Sequence, residues 1–229
     1  MSNSLSLWES RPSEPFAVTK QLTSELVREV GVDGVGVAAF ATNATRDLVF
    51  ASDELAEQLD ELQFTLGEGP CLDAYRFDRP ELHDDMVGGE TLTRWPLFAS
   101  EALSVGAASI YAYPLGGAGA PFGVLEMYGR SPIALSPRDD VTCRSYALTI
   151  AYAVVSELAP AYALTSGSAV GVFRRGNVHI ACGILAAHQG ISVDEAMVRL
   201  RARAFSRHRR ITDIAQEIIG GGRFTSALY

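Results

Sequence analysis

Basic side chains are concentrated near the C-terminal end of the sequence, in the stretch RLRARAFSRHRR. They are Arg199, Arg201, Arg203, Arg207, Arg209, Arg210 and His208. Guanidinium groups donate paired hydrogen bonds to phosphate oxygens, so such a cluster can hold a nucleic-acid backbone. The alternative is a solvated helix face on which the arginines form surface ion pairs.

The charge of the chain changes sign along its length. The whole sequence has a formal net charge of −8, yet residues 174–229 carry nine arginines against four acidic side chains, a net charge of +5. Residues 1–173 are therefore net −13. Two of the four acids, Asp194 and Glu195, lie at a predicted helix start, where they stabilise the first turn. This shortage of local partners favours an acidic ligand for the arginines.

Three short helices are predicted to position the cluster. The second of them opens with Ser192 and Glu195, a Ser-x-x-Glu capping box, with Ile191 in the staple position. Arg199, Arg203 and Arg207 recur at four-residue steps and form one row, whereas Arg201 projects elsewhere. The predicted buried positions are Ala181, Ile184, Leu185 and His188, then Ala196, Met197, Leu200 and Ala204, then Ile211, Ile214, Ala215 and Ile218.

The elements before this unit predict an α+β domain with an antiparallel sheet flanked by helices. Periodicity and turn residues indicate helices at 17–30, 53–63 and 95–106, and a long helix that begins at Ser136 and Pro137. Strands are expected at 34–42, 47–52, an edge position after Pro80, and two runs on either side of the glycines at 116–119.

The long helix carries two apolar stripes. One consists of Ala147, Ile150, Val154 and Leu158, and the other of Val141, Leu148, Tyr152 and Val155. The sheet of its own domain can cover one stripe, and a second copy of the helix can cover the other as a short coiled coil. Full burial of both stripes within one domain is the other interpretation.

The same domain contains candidate residues for a ligand pocket and for thiol chemistry. Seven side chains, mostly aromatic and at predicted strand positions, could line a ligand pocket, although such side chains more often belong to the packed core. They are Phe40, Phe50, Trp95, Tyr111, Tyr113, Met127 and Tyr128. Cys71 follows a Gly-Glu-Gly-Pro turn, and a helix N-terminus there would lower its pKa and activate the thiol. His179 and Cys182 are too few ligands for a metal, so no metal and no cofactor are expected.

Three widely spaced cysteines form no disulfide framework. The N-terminal residues lack a basic start followed by an apolar run, and the longest apolar stretch is interrupted at Ser156, Glu157 and Pro160. We therefore expect a cytoplasmic protein with reduced thiols and no membrane span.

The segment IACGILAAHQGISVDEAMVRLRARAFSRHRRITDIAQEII (180–219) resembles the ANTAR domain, an RNA-binding three-helix module of transcription antitermination regulators. The matching positions are Ala181, Gly183, Leu185, Ser192, Glu195, Ala196, Leu200, Arg201, Ala204, Phe205, Asp213 and Ala215. Gly183 would allow a close helix approach. Ile180 departs from the pattern, because many relatives have Gln there.

The preceding part resembles a GAF domain, a sensory α+β fold, and FTLGEGPCLDAY (64–75) is similar to a stretch of actinobacterial GAF–ANTAR proteins. The resulting division is an N-terminal extension (1–16), a GAF-like sensor with a long C-terminal helix (17–158), a linker or connecting helix (159–173), an ANTAR-like domain (174–222) and a tail (223–229).

The resemblance implies a signal-responsive homodimer that binds paired stem-loops in nascent mRNA and prevents a terminator hairpin from forming; it is not expected to be an enzyme. An unknown small molecule is a candidate ligand of the sensor. Phe205 or His208 could stack on an unpaired base, although packing against the third helix is the favoured interpretation for Phe205. Two alternatives are a DNA-binding one-component regulator and a GAF-fold thiol reductase that uses Cys71.

Overall fold

A computed structural model describes residues 16–40, 46–116, 119–164 and 175–220. The described residues form these elements, in chain order: α1 (Ala17–Val30), β1 (Gly34–Phe40), β2 (Arg46–Ala51), α2 (Glu54–Leu66), α3 (Pro70–Phe77), β3 (Glu81–His83), α4 (Gly89–Arg94), α5 (Pro96–Val105), β4 (Ser109–Leu115), β5 (Gly123–Gly129), α6 (Pro137–Leu164), α7 (Gly176–Gln189), α8 (Val193–Ser206) and α9 (Ile211–Ile219). The predicted α+β class is confirmed. The predicted extension up to residue 15, most of the linker (165–173) and the tail lie outside the described residues.

The five strands form one antiparallel sheet in the order β2-β1-β5-β4-β3. The short strand β3 lies at the edge, as Pro80 predicts, since proline cannot donate a hydrogen bond within a central strand. Side chains alternate across the sheet. Tyr111, Tyr113, Leu125 and Met127 pack under α1 and α6, while Ile110 and Tyr128 pack on the opposite face with α2 and α5.

Asp53 caps the N-terminus of helix α2. The Asp53 carboxylate accepts the backbone N–H groups of Leu55 (2.9 Å) and Ala56 (3.0 Å), and the Tyr128 hydroxyl holds the same oxygen at 2.8 Å. The helix ends at Gly67, whose φ of 76° would strain any residue with a side chain.

 Helix α1 ends in the same way at Gly31, with a φ of 78°, as α2 does at Gly67. Both lie in the left-handed region that favours glycine.

Helix α6 runs six residues beyond residue 158, into the segment predicted as a linker or connecting helix. Its two stripes have different environments. Ala147, Ile150 and Val154 are buried in the core, whereas the second stripe is exposed: Val141 67%, Leu148 54%, Tyr152 75% and Val155 52%. Full burial of both stripes within one chain is therefore wrong. In the described part of the chain, no helix combines the length and the apolar character needed to cross a membrane.

Helices α7, α8 and α9 form a separate apolar core, as predicted. Its fully buried side chains include Ala181, Leu185, Ala196, Leu200, Ala204, Ile211, Ile214 and Ala215. The Ser192 hydroxyl accepts the backbone N–H of Glu195 at 3.1 Å, which confirms half of the capping box. Gly190 ends α7 with a φ of 64°. These caps fix where α8 begins, and so fix which way its arginines point.

Two expectations for this unit are wrong. Gly183 is exposed, and a Cβ atom added there would meet no heavy atom within 4 Å outside its own helix backbone, so it allows no close helix approach. His188 is exposed rather than buried, because the turn at Gly190 leaves the last turn of α7 beside solvent. Ile180, at the position that departs from the ANTAR pattern, is 48% exposed.

Candidate nucleic-acid interface

The arginines of α8 and of the turn that follows it divide into exposed and covered groups. Arg207, His208 and Arg210 are exposed, and Arg203 is half-buried beside Arg207. Within the described residues, no carboxylate lies in ion-pair contact with Arg203, Arg207 or Arg210. Burial and the neighbouring charge of Arg207 lower the pKa of Arg203. These three guanidinium groups form the part of the surface best able to bind phosphate.

Two other arginines of the cluster have partners inside the unit. Arg199 Nε donates to Glu195 at 3.0 Å, and its Nη1 donates to Gln189 at 2.6 Å. Arg209 forms an ion pair with Glu217, and both side chains are exposed. Exposed pairs of this kind are weak, about 0–1 kcal/mol, so a phosphate can displace them.

Phe205 and His208 lie together beside the exposed arginines. Their ring centroids are 6.5 Å apart, and Phe205 is 38% exposed. Phe205 is not among the residues of the α7–α9 core, so packing against the third helix is not its main contact. His208 adopts a φ of 48°, where the chain turns from α8 towards α9. An exposed aromatic pair next to basic groups can stack on an unpaired base.

Arg201 faces the first domain, not solvent. Its guanidinium carbon lies 5.7 Å from the centre of the Phe64 ring of α2, and its Nε atom is buried without a hydrogen-bond partner. Burial is the main reason that the pKa of Arg201 is lowered, with the charges of Arg46 and Arg175 adding to the effect. The prediction that Arg201 projects away from the row of Arg199, Arg203 and Arg207 agrees with this placement.

Arg175, at the start of α7, was not predicted as a site residue. Its side chain is 5% exposed, and its Nη2 donates to Asp60 at 2.5 Å and to Glu61 at 3.0 Å. Its backbone N–H donates to Asp47 at 3.1 Å. The acidic partners missing from residues 174–229 are therefore supplied in part by α2 and β2. A signal existed in the sequence, since Asp60 and Phe64 are four residues apart and share one helix face.

The seven residues proposed to line a sensor pocket lie in three separate packed regions. Tyr111, Tyr113 and Met127 are buried under α1 and α6, where Phe50 also packs. Trp95 and Tyr128 are buried on the other face with α2 and α5. Phe40 stacks on Tyr75 with ring centroids 4.0 Å apart. The structure thus does not bring them together around one cavity.

The buried environment of Cys71 opposes thiol chemistry. Its backbone N–H donates to the Gln63 side chain at 2.8 Å, and burial raises the pKa of its thiol strongly. The expected lowering of this pKa by the N-terminus of α3 is therefore wrong, because desolvation of the thiolate dominates. All three cysteines are free and buried. Among the described residues, no group of three or more His, Cys, Asp or Glu could hold a metal ion.

Comparison with known proteins agrees with the two-part architecture. The family model described as GAF domain matches residues 17–155, and that described as ANTAR domain matches residues 174–219. A search of the curated proteins returns no match.

Solved structures share the fold of the first domain at low sequence identity. A domain of a two-component sensor histidine kinase from Sinorhizobium meliloti is 14% identical, with a TM-score of 0.50 over 73% of this chain and 100% of that chain. The GAF domain of a phosphoenolpyruvate-protein phosphotransferase from Coxiella burnetii is 14% identical, with a TM-score of 0.51 over 66% and 88%. GAF3 of a Synechocystis protein, in its photoproduct state, is 18% identical, with a TM-score of 0.50 over 63% and 95%.

Proposed function

This chain belongs to the GAF domain family and carries an ANTAR domain, the architecture of a signal-responsive transcription antitermination regulator, and we propose that its α7–α9 unit binds stem-loops in nascent mRNA. The observation that carries the proposal is the group formed by Arg203, Arg207 and Arg210. Within the described residues these guanidinium groups have no carboxylate partner, so they are available to RNA phosphates.

Recognition of loops, as opposed to uniform duplex, is supported by the exposed pair of Phe205 and His208. The bases of an RNA loop can be unstacked and can stack on aromatic side chains, whereas those of a duplex cannot. The arginines would then hold the loop backbone while one ring contacts a base. Binding of two adjacent stem-loops would keep the transcript from forming a terminator hairpin.

A homodimer is proposed because two adjacent stem-loops require two RNA-binding units. The exposed stripe of α6 supports this, since Val141, Leu148, Tyr152 and Val155 form one apolar line on a 28-residue helix. An apolar line of this length in water is unfavourable and is covered when two copies of the helix pair. We propose a binding protein of the cytoplasm that performs no catalysis and whose signal is a small molecule at the GAF domain.

The proposal is tested by fluorescence anisotropy of three labelled probes of equal length in 0.15 M salt. The probes are a tandem stem-loop RNA, an unstructured RNA and a DNA duplex. The full chain is expected to bind the stem-loop RNA most tightly, and replacing Arg203, Arg207 and Arg210 with alanine should weaken that binding. Equal affinity for both RNAs, or no effect of the substitutions, contradicts the proposal. Preference for the duplex would instead support the DNA-binding alternative.

A further inference from the structure

We infer that helix α2 of the GAF domain is a docking surface for the α7–α9 unit, and that docking and RNA compete for Arg201 and the basic residues around it. The inference rests on the proposed RNA-binding function and adds its regulation. Its evidence is a continuous contact between the two domains, formed by Asp60, Glu61 and Phe64 of α2.

The first part of the contact is a buried ion pair. Arg175 Nη2 lies 2.5 Å from Asp60 and 3.0 Å from Glu61, and Arg46 of β2 pairs with Asp60 on its other side. Both neighbouring arginines help to lower the pKa of Asp60. Because breaking a buried pair leaves an uncompensated charge, this contact keeps the start of α7 on α2.

The second part of the contact is apolar. Phe64 belongs to α2, yet it is 1% exposed and packs within the core of the α7–α9 unit. Its ring centre lies 4.1 Å from the guanidinium carbon of Arg175 and 5.7 Å from that of Arg201. The guanidinium carbon of Arg46 lies 5.9 Å from the same ring. A ring that faces three cations is held by cation–π attraction as well as by burial.

The position of Arg201 makes the docked arrangement reversible. A Cβ atom on Gly67 would lie 2.8 Å from Arg201 Nη1, so the end of α2 covers this guanidinium closely. Its Nε atom has no hydrogen-bond partner, and within the described residues no carboxylate pairs with it. Burying an unpaired cationic group is unfavourable. Release from α2 would remove this cost and give Arg201 a phosphate partner.

The third part is a charged cleft beside the contact. It has a volume of about 590 Å³ and lies between α2 and the end of α8. Glu54, Glu57, Glu61 and Glu101 line one wall, while His208, Arg209 and Arg210 line the other. Carboxylates across this cleft attract the same basic groups that would bind RNA, and they repel an approaching phosphate backbone. In the docked arrangement the acidic residues of α2 thus face the basic groups that RNA phosphates would otherwise contact.

Helix α2 also reaches the centre of the GAF sheet. Gln63, next to Phe64, donates to both carboxylate oxygens of Glu126 in β5 at 2.9 and 2.8 Å. The same side chain accepts the backbone N–H of Cys71 at 2.8 Å. A change in the sensor core that shifts Gln63 therefore shifts the docking surface too, which gives a signal a direct route to the output unit.

The test reverses one charge of the docking surface. In the full chain, Glu61→Arg places a cation next to Arg175. Glu61 is not part of the arginine cluster, so the substitution removes no side chain that is proposed to bind RNA. The matched control is Glu90→Arg, which makes the same charge change on α4 at a side chain that is 77% exposed. Glu61→Arg is expected to tighten binding of the tandem stem-loop RNA by at least about fivefold relative to Glu90→Arg. Equal affinities of the two variants would overturn the inference, whereas absence of RNA binding in every variant would overturn the proposed function.

A second measurement needs no variant. Amide hydrogen exchange is followed in the wild-type chain with and without the tandem stem-loop RNA. If RNA displaces the α7–α9 unit from α2, exchange in the peptide that covers residues 54–66 becomes faster, although this peptide does not contact RNA. Unchanged or slower exchange there, under conditions where RNA is bound, would show that the unit remains docked and would overturn the inference.

Discussion

At the scale of single residues, arginines of the same cluster have different roles because their surroundings differ. Arg199 and Arg209 pair with carboxylates of their own unit, and Arg201 is covered by Phe64. Arg203 and Arg207 lack such partners in the part of the chain that the structure describes. The sequence predicted the cluster and the separate direction of Arg201, but helical spacing alone could not show that a residue of α2 covers it.

The unpaired arginines should dominate the salt dependence of RNA binding. Replacing both Arg203 and Arg207 with alanine is expected to weaken binding about tenfold and to reduce the slope of log affinity against log salt by about 1.5 to 2. The measurement is an anisotropy titration between 0.05 and 0.3 M salt, a range chosen on the order of physiological ionic strength. A control that replaces Arg28 and Arg144, which are exposed on α1 and α6, should keep the wild-type slope. Equal slopes for both double variants would contradict the assignment.

Glu126 should make stability depend on pH. Burial raises its pKa from the ordinary value of 4.5 to about 7, so the folded chain holds a proton that the unfolded chain has already lost. The contribution of Glu126 to the free energy of unfolding therefore falls as pH rises from about 4.5 to 7. The Glu126→Gln variant has no titratable carboxyl group at this position, so its free energy of unfolding does not show this decrease. Between pH 5 and pH 8 the wild type should lose about 1–3 kcal/mol relative to the variant.

This comparison is made by urea unfolding, followed by fluorescence of the buried Trp95. Glu90→Gln, at an exposed position, is the control and should follow the wild type at both pH values. If the free-energy difference between wild type and Glu126→Gln is the same at pH 5 and pH 8, the carboxyl does not titrate in this range.

At the scale of elements, local signals predicted most boundaries. Asp53, Ser192 and the glycines at 67 and 190 mark helix ends through interactions within a few residues. Helix α4 was missed because its sequence GETLTR has no apolar periodicity. The contact between α2 and α7 was also missed, since Asp60 and Arg175 are 115 positions apart and only the packed fold brings them together.

Helix α6 leads to a prediction about assembly. Leu148→Glu places a charge in the middle of the exposed stripe, where pairing with a second copy would bury it. The dissociation constant of the dimer should therefore rise at least about tenfold. Thr149→Glu adds the same charge on an exposed flank of the same helix and serves as control. The dissociation constants of both variants are measured by sedimentation equilibrium. A monomeric wild type, or a Leu148→Glu variant that dimerises like the control, would contradict dimerisation through this stripe.

At the scale of the whole molecule, the charge asymmetry has two consequences. Residues 1–173 are net −13 and residues 174–229 net +5, and the structure places acidic α2 against the basic unit. The opposite charges thus hold the two domains together, and the basic unit is the one proposed to bind RNA. Because both interactions are screened by salt, the balance between them, and not the number of arginines, would set the affinity for RNA.

The central claim, recognition of paired stem-loops, is tested most directly by sequencing the RNA that cross-links to the purified full chain from a pool of bacterial transcript leaders. The enriched RNAs are expected to share two adjacent stem-loops, and this enrichment should be lost when Arg203 and Arg207 are replaced with alanine. Recovery of RNAs without that shared structure, or the same enrichment with the double variant, would contradict it.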